Sequence, residues 1–113
     1  DFGHINSLEQ GSLKEKDDFK RIIDYCIETL GFERTNNCHI HFSKIQYGTK
    51  GEIKHLNYDD NVYGPNFDPL AEVLIEYKLS PRVICESMNQ MPHDALLMKK
   101  IYHKLLDKSN LVW

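Results

Sequence analysis

Apolar residues recur at three- and four-residue intervals in three parts of the chain, and such intervals are typical of amphipathic helices. The first part is Phe19–Leu30, followed by Gly31, a residue type that commonly ends helices. The second is about Phe67–Lys78, with Pro69 where it suits a first helical turn. The third is about Pro92–Leu106. The pattern therefore predicts three helices.

A strand is predicted at residues 38–42, which read Cys-His-Ile-His-Phe. Successive side chains of a strand point to opposite faces. His39 and His41 should therefore share one face, while Ile40 and Phe42 share the other. The apolar face is expected to pack in a core, which leaves the two imidazoles side by side on the opposite face.

A second strand is predicted at Val83–Glu86, an apolar run that ends in a carboxylate. Such runs are typical of strands that are buried on both faces. The first four residues, Asp1–His4, are expected to be the end of a further strand. Between the two complete strands, Ser43–Asn66 is predicted as a long loop, and loops of this length are usually functional or disordered.

The predicted elements alternate in the order strand end, helix, strand, helix, strand, helix. This order indicates an α/β fold built from βαβ units, with parallel strands and helices on one face. A closed (β/α)8 TIM barrel needs about 250 residues, and the 113 residues of this chain supply about three units. We therefore expect a single domain, residues 1–113, that is an incomplete TIM barrel. Its open edges would be covered by the N-terminal part of the barrel or by a second copy of the chain.

Composition and charge exclude some classes of function. The net charge of −3 and the pI of about 6.1 argue against nucleic-acid binding through global positive charge, although a local basic patch remains open. No apolar stretch approaches the ~18 residues of a membrane span. The three cysteines (Cys26, Cys38 and Cys85) are expected to be small core residues with free thiols, which suits the cytoplasm.

Ionisable residues at the predicted strand ends are the candidate metal ligands. Asp1 and His4 combine a carboxylate with an imidazole, which suits zinc, manganese or iron; alternatively they form a helix cap or a surface pair. His39 and His41 share a strand face. Glu86 ends a buried strand, where a charge is costly unless it is paired, bound to metal or solvated at the rim.

The predicted loop carries a weaker set of candidates. Glu52 and His55 form a possible ligand pair. Lys44, Lys50 and Lys54 make the segment locally basic, and Ser43 with Lys44 could hold a phosphate. Its tyrosines could stack on bases or wedge into a duplex, or they could simply pack on the loop itself; they are Tyr47, Tyr58 and Tyr63.

The order of these motifs resembles the endonuclease IV family of apurinic/apyrimidinic endonucleases. Asp-Phe-Gly-His at residues 1–4, His-Ile-His-Phe-Ser-Lys at 39–44, Gly-Glu-Ile-Lys-His-Leu at 51–56 and Val-Ile-Cys-Glu-Ser at 83–87 follow one another at suitable intervals. The segment 63–72 is similar as well. The resemblance covers the chain to about Leu106 and implies the C-terminal three β/α units of a TIM barrel.

The resemblance implies a metal-dependent deoxyribonuclease that cleaves the phosphodiester on the 5′ side of abasic sites in DNA, during base excision repair. Up to three zinc ions (Zn2+), or manganese (Mn2+), would bind in the complete barrel. Asp1, His39 and Glu86 would share one metal, with Asp1 and Glu86 as catalytic carboxylates. His4, Glu52 and His55 would hold another. The nucleic-acid contacts would come from Ser43, Lys44, Lys54 and Tyr47.

Two features depart from the family pattern. The loop pair of the best-known members is Asp-x-His, whereas Glu52 and His55 are separated by two residues. Ligands from earlier strands are absent, so the partial barrel is expected to be inactive alone. The alternative is a sugar isomerase or epimerase of the xylose-isomerase-like barrels, which would use Asp1, His39 and Glu86 around one metal.

Overall fold

A computed structural model describes residues 1–110 of the chain. The last three residues of the expected domain, 111–113, lie outside the described part. Within residues 1–110 the chain forms five helices and four strands, which are α1 (Phe2–Leu8), α2 (Lys16–Leu30), α3 (Phe32–Asn36), β1 (His39–Phe42), β2 (Ile45–Gly48), β3 (Gly51–His55), α4 (Asp68–Glu76), β4 (Arg82–Cys85) and α5 (Met91–Asn110).

The predicted strands β1 and β4 pair in parallel, in register from His39 opposite Arg82 to Phe42 opposite Cys85. A connection that includes α4 joins them, which is the βαβ arrangement that the element order indicates. The fold is therefore mixed α/β with a small parallel sheet. Paired residues point to the same face, so this sheet has one apolar face and one face that carries His39 and His41.

The apolar face of the sheet packs against helices. Ile40 and Phe42 are buried, and the half-buried Val83 and Cys85 of β4 lie beside them. The same hydrophobic cluster contains side chains of three predicted helices, namely Phe19 and Ile23 of α2, Leu70, Ala71, Val73 and Leu74 of α4, and Met98 of α5. The opposite face lacks such cover, since His39, Arg82 and Ile84 are exposed. The expectation that β4 is buried on both faces is therefore wrong, because within residues 1–110 the chain places helices on only one face of the sheet.

Local signals explain where α2 begins and ends. The backbone N–H of Asp18, the third helical residue, donates to the Glu15 carbonyl oxygen, while the Asp18 side chain accepts from the Glu15 backbone N–H. This reciprocal arrangement satisfies backbone donors that a helix start leaves free. Gly31 ends the helix with a φ of 88°, a value that glycine adopts without steric cost. The predicted stop at Gly31 is confirmed.

Two further expectations about the fold are wrong. Asp1–His4 is not a strand end, because Asp1 caps helix α1 and residues 2–4 are helical. The segment 43–66 is not wholly loop, because β2 and β3 form an antiparallel hairpin within it. The hairpin pairs only with itself and forms a separate sheet, so the parallel sheet within residues 1–110 has two strands rather than three.

The cysteines and the helix lengths can also be compared with the expectations from the sequence. All three cysteines are half-buried and free. Among the helices within residues 1–110, none combines the length and the apolar character needed to cross a membrane.

Phe42 should be the side chain on which the core depends most. It is fully buried, and its ring packs 5.3 Å from that of Phe67 and 6.5 Å from that of Phe2. We expect Phe42→Ala to lower the free energy of unfolding by about 3–5 kcal/mol, because it removes these contacts and leaves a cavity. Urea unfolding measures the loss. Val62→Ala, at a side chain that is 82% exposed, should change it by less than about 0.5 kcal/mol. Equal effects of the two changes would contradict this core.

Candidate metal centre

Helix α1 carries the first two candidate ligands. The Asp1 Oδ1 atom accepts a hydrogen bond of 2.9 Å from the backbone N–H of His4, which is the usual contact of an N-cap residue. The other carboxylate oxygen, Oδ2, lies 2.6 Å from Nδ1 of the His4 ring. The cap therefore holds the Asp1 carboxylate and the His4 imidazole against each other at one end of the helix.

Gly3 allows α1 to lie very close to the segment that follows β1. A Cβ atom at this position would come within 2.6 Å of the Ser43 carbonyl oxygen and 3.0 Å of the Ile45 side chain. Only glycine fits such an approach without a shift of backbone. The close contact determines how far the ends of α1 lie from β1 and the hairpin, and hence where Asp1 and His4 are placed.

A β-bulge in the hairpin brings Glu52 and His55 to the same face. Tyr47 pairs with Glu52 and Gln46 pairs with Lys54, so Ile53 is an extra residue without a partner. In a regular strand, residues three apart point to opposite faces. One inserted residue reverses that alternation. The bulge thus provides the shared face that an Asp-x-His pair has in a regular strand.

The first ligand group consists of His4, Glu52 and His55. The Glu52 carboxylate lies between the two rings, with Oε2 at 2.8 Å from His4 Nε2 and Oε1 at 2.9 Å from His55 Nε2. The side chains are 45%, 35% and 27% exposed respectively, so the group is accessible from solvent. One ligand atom from each residue lies within 4.8 Å of the others.

The ring of His55 is oriented by contacts on its far side. Nδ1 lies 3.0 Å from the backbone carbonyl oxygen of Glu86 and 2.9 Å from the Ser43 hydroxyl. A carbonyl oxygen only accepts hydrogen bonds, so Nδ1 carries the hydrogen. A metal ion that replaced the hydrogen on Nε2 would therefore bind the ring through Nε2.

The second ligand group consists of Asp1, His41 and Glu86, whose ligand atoms also lie within 4.8 Å of one another. His41 Nδ1 is 3.0 Å from Glu86 Oε1. Both residues stand on the exposed face of the parallel sheet, where β1 and β4 end. The cluster of Asp1, a strand histidine and Glu86 is therefore present.

The histidine of this group is His41, whereas the sequence-based expectation named His39. His39 pairs with Arg82 at the beginning of the two parallel strands, and it is exposed there. His41 shares the face of His39 but lies two residues nearer the strand ends, where Glu86 is. His41 belongs to the ligand group and His39 does not because of their positions along the strand, since both lie on the same face.

Asp1 connects the two groups, because it belongs to the second and hydrogen-bonds to His4 of the first. Each group offers nitrogen and carboxylate oxygen ligands, the donor set that zinc and manganese accept. A tetrahedral zinc ion with bonds of about 2.0–2.1 Å holds its ligand atoms about 3.3 Å apart. The hydrogen-bond contacts within the groups are 2.8–3.0 Å, so small movements would admit an ion.

The four residues predicted to contact nucleic acid differ in how far solvent reaches them. Lys44 is buried: its ammonium donates to the Asp60 carbonyl oxygen at 2.6 Å, and burial lowers its pKa although nearby carboxylates act to raise it. Ser43 is buried against His55. Tyr47 packs edge-to-face on Tyr63 with ring centroids 5.1 Å apart. Lys54 is exposed and lies beside His55 and Glu86.

Comparison with known proteins gives one relative and no established activity. The chain is 33% identical, over 105 residues that make up 93% of it, to an uncharacterized protein of Methanocaldococcus jannaschii. The matched segment is 37% of that relative, so the chain spans little more than a third of the relative's length. No family model matches the chain. No solved structure gives a significant match.

Gly3→Ala should weaken zinc binding although it removes no ligand. The added methyl group must push α1 away from the Ser43 carbonyl, and Asp1 and His4 move with the helix. We expect a zinc affinity at least about tenfold lower, similar to the loss of an orienting residue. Competition with a chromophoric chelator measures it. Gly48→Ala is the matched control, because its methyl group would meet only the Ile53 side chain, at 3.4 Å. Unchanged affinity in a folded Gly3→Ala variant would refute the role of this contact.

Deletion of Ile53 tests the bulge. Without the extra residue the strand becomes regular, and Glu52 and His55 are then two residues apart and still share a face. We expect the deletion variant to retain its zinc affinity within a few-fold, as should Ile53→Ala, which keeps the bulge. If the deletion abolished binding to the first group, the account of the Glu-x-x-His spacing would be wrong.

Proposed function

We propose that this chain carries the zinc ligands of a metal-dependent phosphodiester hydrolase that cleaves DNA on the 5′ side of abasic sites. The observation that supports it best is the pair of adjacent ligand groups that Asp1 connects. Two neighbouring ions are typical of enzymes that break phosphodiester bonds, because both the attacking and the leaving oxygen need stabilisation.

Zinc would supply an activated water and electrostatic stabilisation of the phosphate oxygens. Asp1, His41 and Glu86 would hold one ion, and His4, Glu52 and His55 another. Within the chain, the Glu86 carbonyl and Ser43 keep His55 in the Nε2-binding tautomer. Lys54 is exposed and lines the same opening as His55 and Glu86, and it is the cation that we assign to a DNA phosphate.

The choice of abasic DNA as substrate rests on the motif order described above, which resembles the endonuclease IV family. The rest of the barrel in this proposal would supply further ligands. The archaeal relative is long enough for a complete barrel: 105 residues are 37% of it, so it has about 280, against the ~250 of a typical TIM barrel.

A single-metal sugar isomerase or epimerase is the second candidate. The group of Asp1, His41 and Glu86 alone has the composition of such a centre. The group of His4, Glu52 and His55 would then have no role in catalysis, and this favours the nuclease. Activity on a panel of ketoses, compared with activity on abasic DNA, distinguishes the two.

Glu86→Gln should remove one zinc ion and leave the other. The substitution deletes a charged ligand of the second group with little change of volume. It preserves the Glu86 backbone carbonyl that orients His55 in the first group. We expect the zinc content to fall from two ions per chain to one. Glu72→Gln, at an exposed glutamate of α4, should keep both.

Cleavage is best measured in a full-length chimera, in which this chain replaces the matching 105 residues of the archaeal relative. We expect the parent chimera to incise a duplex on the 5′ side of a tetrahydrofuran abasic analogue, and Glu86→Gln to reduce the rate about 100-fold or more. Equal rates with both zinc sites filled would show that Glu86 is not a ligand. Ketose turnover without incision would favour the isomerase.

A further inference from the structure

An open groove adjoins both ligand groups. It has a volume of about 440 Å³ and is lined by Lys54, His55, Glu86, Ser87, Met88 and Met91. His55 belongs to the first ligand group and Glu86 to the second. A molecule whose phosphate reached the metal centre could therefore extend into this groove.

The groove combines a cation with apolar surface. The side chains of Met88 and Met91 are 56% and 48% exposed, although burial would stabilise both. Thioether side chains are flexible and polarisable, and they pack well against aromatic rings. Among the six residues that line the groove, Lys54 is the one with a permanent positive charge, and it is exposed. This arrangement suits a molecule that has an anionic end and a flat apolar end.

The residues that follow Met88 in the loop between β4 and α5 are anchored by hydrogen bonds. Asn57 and Asn89 exchange two hydrogen bonds, of 2.9 and 3.3 Å. The buried Asp94 carboxylate accepts from the Tyr58 backbone N–H at 2.8 Å and from the Gln90 side chain at 2.9 Å. These contacts hold the connection between β4 and α5 in place, with Met88 directed outwards.

We propose that the groove binds a nucleotide unit of the substrate, with the base on Met88 and Met91 and the phosphate towards Lys54 and the metal centre. This inference rests on the proposed function and deepens it, because it assigns residues to the nucleotide beside the scissile phosphate. The volume falls within the range of small-molecule sites, about 300–1,000 Å³.

The methionine methyl groups provide a direct test. The chain has three methionines, and the third, Met98, is buried in the core, so it serves as an internal reference. NMR spectra of the chain with 13C-labelled methionine methyls are recorded during titration with deoxyadenosine 5′-monophosphate, in the presence of zinc. We expect saturable upfield shifts of the Met88 and Met91 methyl signals, caused by the purine ring, and an unchanged Met98 signal.

Two further titrations separate base from phosphate. Inorganic phosphate and deoxyribose 5-phosphate should leave the Met88 and Met91 signals nearly unchanged. The double variant Met88→Ala/Met91→Ala should bind the nucleotide about tenfold more weakly. Leu96→Ala is the matched control, since Leu96 lies on the same helix as Met91 with nearly the same exposure, 49%, and does not line the groove.

The inference is overturned if the nucleotide shifts neither signal, or if inorganic phosphate alone gives the same shifts. Zinc binding, measured separately on the same sample, distinguishes this failure from failure of the proposed function. Zinc bound without methyl shifts would contradict the groove alone. Methyl shifts without bound zinc would support the groove and contradict the metal centre.

Discussion

The close contact of helix α1 with the segment after β1 is the constraint on which the candidate site depends. Gly3 lies so near the Ser43 carbonyl that any side chain would collide with backbone. This distance carries Asp1 and His4, at one end of a seven-residue helix, into reach of ligands that are 40 to 85 residues away in sequence. Ser43 also contacts His55, so one contact region positions both α1 and a ligand of the hairpin.

The parallel pairing of β1 and β4 provides the second half of the site. It buries one face of the small sheet against α2, α4 and α5 and leaves the other face open for His41 and Glu86. The hairpin joins this arrangement through the bond from His55 to the Glu86 carbonyl. Each ligand group is thus supported by elements of the other, which couples the geometry of the two.

The residues of the candidate site are accessible to solvent, whereas several other polar side chains are buried. Buried polar groups such as Lys44 and Asp94 are satisfied by hydrogen bonds and hold loops in place. Within residues 1–110, no buried side-chain nitrogen or oxygen lacks a partner. The residues of the two ligand groups instead contact one another at a surface that solvent reaches. Such a cluster of imidazoles and carboxylates contributes little to stability as exposed ion pairs, and it has the composition of a metal centre.

The sequence by itself determined the three long helices, the two parallel strands and the residue types of the site. The spacing of apolar residues suffices to predict these helices and strands, because it depends only on residues within one element. The first ligand group, His4, Glu52 and His55, was also predicted, through the order of motifs. The predicted strand end at Asp1 and the loop at 43–66 were wrong. A capping carboxylate resembles a strand-end carboxylate in sequence, and a four-residue strand beside a glycine turn has too short an alternation to identify.

Only the tertiary structure decided which histidine joins Asp1 and Glu86, and which cations remain free. His39 and His41 have the same alternation, and the register of β1 on β4 alone places His41 at the end where Glu86 lies. Lys44 and Lys54 are equally basic in sequence, but packing buries the first and exposes the second. The bulge at Ile53 is likewise a feature that only the tertiary structure decides. It depends on how two strands pair, and pairing is a relation between distant segments that local spacing does not contain.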